Sequence, residues 1–197
     1  MIHFDIPANW VPAFFLTFAR IGGLVSFAPF IGSGAISRWI RILFAIAMTI
    51  LIFPVVHEFR QEIPMEFVPY SLALVREMSV GLALGLIGKL VFASLEVAGQ
   101  MMGFQMGFGF IRVIDPQTQV ESPFMSIFLN LIGLLTFLTI NGHHWYLQAI
   151  IESFRLAPKG ISLSGAAAWQ MIHSVSDMFL VGLKISAPIM VALFLVD

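Results

Sequence analysis

Apolar residues along this chain gather into long blocks rather than alternating with polar ones. The blocks cover about residues 10–31, 39–56, 69–98, 122–142 and 165–196. A helix rises about 1.5 Å per residue, so about 20 mainly apolar residues cross about 30 Å of hydrocarbon. Period-two alternation is absent, which argues against a transmembrane barrel. A chain in lipid must satisfy its own backbone N–H and C=O groups, and helices do so. The pattern therefore predicts an all-α fold of the membrane-protein type: about five long apolar helices in hairpins, kinked and interrupted by buried charges.

Helix punctuation sharpens some boundaries. Ser122-Pro123 reads as an N-cap followed by a first-turn proline. Asn141-Gly142 reads as a stop, because both residues tolerate the left-handed conformation. The block between them carries no charge and is the cleanest span. His57–Glu66, HEFRQEIPME, holds four formal charges in ten residues and must face water. Arg155–Gly160 is a second polar break.

The other blocks carry charges inside them. Arg20 interrupts the first; Arg76, Glu77, Lys89 and Glu96 punctuate the third; Asp177 and Lys184 sit in the last. A lipid-facing charge near mid-bilayer costs about 2.5–3.5 kcal/mol even on the lenient insertion scale. These charges are expected to face protein or a water-filled path, with snorkelling as the alternative for those near helix ends. Lys89 and Glu96 are seven residues apart, as are Asp177 and Lys184. Seven residues make nearly two turns, so each pair shares a helix face. The distribution of Lys and Arg between connections is too even to orient the chain.

Composition agrees with the pattern. Of 197 residues, 59% are hydrophobic and 11% charged, against about 45–50% and about 25% in soluble domains. Such a chain suits a membrane or a subunit covered by neighbours, not a soluble globular enzyme. A net charge of −1 argues against nucleic-acid binding. No cysteine is present, which removes thiol catalysis, thiolate metal sites and disulfides. The first ten residues, MIHFDIPANW, place Asp5 where a signal peptide needs basic residues, so no cleavable signal is expected.

Catalytic motifs are missing. His57-Glu58-Phe59-Arg60-Gln61 has Gln where the zinc motif needs a second His. His143 and His144 are adjacent, so on a helix their side chains diverge by about 100°. Gly107-Phe108-Gly109 lacks the third glycine of a dinucleotide loop. No catalytic residue, metal or cofactor is assigned.

Residues 99–119, GQMMGFQMGFGFIRVIDPQTQ, stand apart. Gly99, Gly103 and Gly107 form a stripe where another backbone could approach. Methionine and phenylalanine fill the positions between them, bulky and without polar tips. Asp115-Pro116 then makes a turn. Two readings stay open: a deformable seal, or a glycine-packed helix with an ordinary apolar core. A faint echo relates Glu77-Met-Ser-Val-Gly-Leu82 to Asp177-Met-Phe-Leu-Val-Gly-Leu183 and fits a duplicated hairpin.

Gly103–Gln119, with Ile140-Asn-Gly-His-His144 and Glu152-Ser-Phe154, resembles the FliR/SctT family of the type III secretion export gate, on its flagellar branch. The resemblance runs from Ala19–Gly23 to Ala187-Pro188. Relatives continue with another apolar region where this chain ends at Asp197, so the resemblance implies a C-terminal truncation. It further implies a fold like a fusion of FliP and FliQ, in one domain over 1–197. Within it lie N-terminal helices (1–98), a plug-like loop (99–121) and C-terminal helices (122–197).

Its implied function is non-enzymatic: to help form and plug the channel through which unfolded flagellar proteins cross the bacterial inner membrane at the basal body. The implied partners are FliP and FliQ in a hetero-oligomer, FlhB and FlhA, the unfolded substrates and the lipid membrane. The resemblance also implies helices lying largely above the bilayer plane, with Arg20, Lys89, Glu96, Asp177 and Lys184 in contact with sister subunits. It maps the channel plug to Met102, Gly103, Phe104, Gln105, Met106, Gly107, Phe108, Gly109, Phe110, Asp115, Pro116 and Gln117. The competing reading is a small-solute or ion transporter whose pathway uses Arg20, Lys89 and Asp177; an intramembrane enzyme is a third.

Overall fold

A computed structural model describes residues 10–28, 36–56, 63–106, 124–157 and 165–196. They form six helices: α1 (Trp10–Phe27), α2 (Arg38–Val56), α3 (Phe67–Gln105), α4 (Phe124–Thr139), α5 (Gly142–Leu156) and α6 (Gly165–Val196). The all-α expectation holds. Four helices are long and apolar enough to cross a membrane, and α4 with α5 makes a fifth candidate as a broken pair. Ser122-Pro123 and most of the charged run His57–Glu66 lie outside the described residues.

The break after α4 falls where the sequence placed it. Asn141 adopts a φ of 56° between α4 and α5. Asparagine is among the few residues that enter the left-handed region at modest cost.

The third apolar block differs from its expected bounds. α3 runs for 39 residues, about 58 Å at 1.5 Å per residue, almost twice the hydrocarbon thickness. It continues through Gln105, so the start of segment 99–121 is helical; residues 107–123 lie outside the described set. A separate helix, α5, starts at Gly142.

The chain divides into two compact units: Met1–Lys89 with His144–Ala168, and Leu90–His143 with Trp169–Asp197. In the first, α1 packs against α2, and Trp10 meets Phe53 edge-on with ring centroids 5.9 Å apart. The start of α1 therefore lies beside the end of α2, and the pair is antiparallel. The core joins Ile21, Leu24 and Val25 of α1 to Ala45, Ile52 and Val56 of α2 and to Ile150 and Phe154 of α5. The α1–α3 contact is built on glycine. A Cβ on Gly81 would strike the Arg20 carbonyl oxygen, and one on Gly85 would sit 2.6 Å from that of Leu24. This small-xxx-small arrangement lets backbones meet where lipid offers no hydrophobic drive.

The second unit repeats the device around the C-terminal part of α3. A Cβ on Gly99 would lie 2.6 Å from the Ser126 nitrogen of α4. Ser126 Oγ donates to the Glu96 carbonyl at 3.1 Å. On another side, a Cβ on Gly182 of α6 would lie 2.9 Å from the Ser94 carbonyl oxygen. Ser186 Oγ meets Met101 Sδ at 3.7 Å. Both glycines of the faint sequence echo, Gly81 and Gly182, thus serve close helix contacts, each in its own unit.

Candidate functional site

The most heavily engineered chemistry among the described residues surrounds Arg20. Its position on α1 faces α3 and α5, because the neighbouring Thr17, Ile21 and Leu24 are buried on the same face. Arg20 is 0% exposed. Its Nε donates to Glu77 Oε2 of α3 at 2.6 Å, Nη1 to Ser153 Oγ of α5 at 3.1 Å, and Nη2 to the Ala157 carbonyl at 2.6 Å. The guanidinium also lies over the Phe154 ring, 4.1 Å from its centroid. Ser153 Oγ donates onward to the Ile150 carbonyl at 2.6 Å. A planar cation with several donors in a fixed fork suits such a junction; an ammonium would not reach all three acceptors. Chemically the junction fixes three helices and offers no open face to a substrate.

This corrects one expectation. Arg20 does not present its charge to a sister subunit, since Glu77 of the same chain neutralises it in a fully buried site. The reason is physical: a buried guanidinium needs a carboxylate and carbonyls close by, and α3 and α5 supply them. The solute-pathway reading loses the same residue, because a side chain with 0% exposure lines no open path. Local spacing could not reveal the partners, which lie 57, 133 and 137 residues away.

The other four charges mapped to sister-subunit contacts sit at the surface. Lys89, Glu96, Asp177 and Lys184 are all exposed. Lys89 Nζ lies 5.4 Å from the centre of the Phe27 ring. Lys184 is the twelfth residue of the apolar segment His173–Ala192 and has exposed Leu180, Val181 and Leu183 around it.

Of the residues mapped to a plug, Met102 is 1% exposed and packed within the second unit. Phe104 is 79% exposed at the end of α3, and Met106 38%. Gly103 has only ordinary clearance, 4.0 Å from a built Cβ to Met125 Cβ. Gly107, Phe108, Gly109, Phe110, Asp115, Pro116 and Gln117 lie outside the described residues. Gly99 therefore serves packing, as the glycine-packed reading holds for that position.

Comparison with known proteins adds identity to this geometry. A family model described as "Bacterial export proteins, family 1" matches residues 11–197. The flagellar biosynthetic protein FliR of Bacillus subtilis is 34% identical over 191 residues, covering 94% of this chain and 73% of its own length. The FliR protein of Pectobacterium carotovorum is 30% identical, with 96% and 72% covered. That of Escherichia coli is 28% identical, with 94% and 70% covered. The chain belongs to the bacterial export proteins, family 1, as a membrane component of the flagellar export apparatus.

Proposed function

We propose that this chain is a non-enzymatic subunit of the flagellar type III export gate in the bacterial inner membrane. It assembles with FliP and FliQ, works beside FlhB and FlhA, and helps form and plug the channel for unfolded flagellar proteins. Segment 102–117 supplies the plug.

Beyond the relatives' names, one observation carries the subunit reading: Lys184 is exposed in the middle of an apolar segment. Its Cα lies eight residues, about 12 Å, from the nearer end of His173–Ala192. A lysine stem cannot snorkel that far, and facing lipid would cost about 2.5–3.5 kcal/mol. A neighbouring protein surface with an acceptor removes that cost. Exposed Glu96 and Asp177 ask for the same cover.

The test is mass spectrometry of the complex extracted in detergent from flagellated cells. FliP and FliQ should co-purify, and Lys184→Ala or Asp177→Ala should lower their recovery while the chain itself is still made. A wild-type chain that runs as a homo-oligomer, without other subunits, would overturn the reading and favour a solute transporter.

A further inference from the structure

Helix α6 has one packed side and one bare side. Gly182 and Ser186 are buried and meet Ser94 and Met101 of α3. At about 100° per residue, Asp177, Leu180, Lys184 and Val191 fall within about 40° of the opposite direction. Their exposure agrees with that geometry: Leu180 is 51% and Val191 57% exposed, and both charged residues are exposed as well. Neither Asp177 nor Lys184 forms an ion pair with another described residue. Of the segment His173–Ala192, 11% is buried, the lowest share among the four candidate spans. The second unit therefore covers one side of α6 and leaves the charged side open.

The two charges have opposite sign and stand seven residues apart, about 10 Å along the axis, too far for an easy bridge to each other. Leu180 lies between them, Val181 and Leu183 lie beside them, and no further charge follows on α6 as far as Val196. A surface that covers this side must place a base against Asp177 and an acid against Lys184, because an unpaired charge in an apolar interface keeps its desolvation cost. A helix can supply both from residues seven apart, while satisfying its own backbone in apolar surroundings. An anionic lipid headgroup would suit Lys184 but would face Asp177 with a like charge.

We infer that the Asp177–Lys184 face of α6 docks a helix of a different export-gate subunit, one that carries a basic residue against Asp177 and, seven positions away, an acidic residue against Lys184. If the two helices run parallel, the base comes first in the partner's sequence; if antiparallel, the acid does. The pairing selects partner and register more than it adds strength, since a slide of one turn sets each charge against an apolar side chain. In a second copy of this chain Lys89 and Glu96 share the spacing, but that lysine already lies over the Phe27 ring. This rests on the gate reading for the presence of a neighbour and adds that neighbour's chemistry and register.

The experiment replaces Leu180 with a photo-crosslinking amino acid in the full chain, in flagellated cells, and sequences the captured peptide by mass spectrometry. Subunit composition of the same extracted complex is read in parallel. The captured peptide should come from another subunit and carry a base and an acid seven residues apart on either side of the crosslink. Asp177→Lys or Lys184→Glu should lower recovery of that subunit about 30-fold or more. Reversing the facing charge in the partner as well should restore most of it, which a merely misfolded variant would not allow. The inference is overturned if the peptide comes from this chain, if lipid alone is captured, if the captured peptide lacks the charge pair, or if partner reversal restores nothing. Such a result with FliP and FliQ still present leaves the gate reading standing. A captured helix of the expected chemistry in a complex without them would sink the gate reading alone.

Discussion

Removing the Glu77 carboxylate should be among the most damaging single changes in the chain. Glu77→Ala leaves the Arg20 guanidinium 0% exposed and without its counter-ion. The Ser153 hydroxyl and Ala157 carbonyl remain, but both are neutral. Breaking a buried pair from one side costs about 3–5 kcal/mol, because the surviving charge stays desolvated. That is a large part of the about 5–15 kcal/mol that holds a typical protein folded. Ser153→Ala removes one hydrogen bond to a charged group and should cost less, about 1.5–3 kcal/mol. The double change Arg20→Met with Glu77→Leu should recover most of the loss, since apolar side chains of similar volume often replace a buried pair at little cost. The assay is the thermal midpoint of the purified complex, with the steady-state amount of the chain in membranes. Glu96→Ala, at an exposed position on the same helix, is the control for general helix effects. The reasoning fails if Glu77→Ala matches wild type in both measures, or if the double variant is worse than the single one.

Gly81→Ala should destabilise by at least about 1–3 kcal/mol, because its Cβ meets the Arg20 carbonyl. Gly22→Ala, with nothing within 4 Å, should be neutral or stabilising by up to about 1 kcal/mol; protease resistance in membranes separates the two. Asn141→Gly should be tolerated, whereas Asn141→Val at φ 56° should cost roughly 1–2 kcal/mol, read as a lower thermal midpoint. Deleting Gly107–Phe110 should leave subunit recovery intact and make cells leak ions or small dyes, while Gly107→Val with Gly109→Val should slow secretion through a stiffer segment. A tight deletion strain with a normal complex would leave that segment without a sealing role.

The positions of the helices were largely legible because they follow local chemistry. Charge-free Phe124–Thr139 could only be an apolar helix, and Asn141-Gly142 could end it, since a left-handed residue needs no distant partner to be recognised. α5 was less visible. Its opening Gly142-His-His-Trp145 reads as polar punctuation, although Tyr146, Ile150 and Phe154 recur every fourth residue and form its packed face. α3 outruns the expected block 69–98 for a related reason: the glycine-rich segment from Gly99 looks like a break, but a helix absorbs an interfacial glycine without breaking.

Sequence by itself determined the class and the kinship of this protein. Both rest on the amount and spacing of apolar residues and on a run of glycine, methionine and phenylalanine that needs no folding to be read. Only the tertiary structure decided which charges are spent inside the chain. Arg20, Lys89, Asp177 and Lys184 look alike in sequence, each a charge within an apolar block. Burial and pairing depend on what the fold brings within about 3 Å, and for Arg20 that is a carboxylate, a hydroxyl and a carbonyl from distant helices. Lys184 meets no such enclosure and stays exposed at the surface. Tertiary contact likewise separated Gly81 and Gly99, pressed against a neighbouring backbone, from Gly22, which faces open space, because a missing Cβ matters only where another chain segment comes to fill its place.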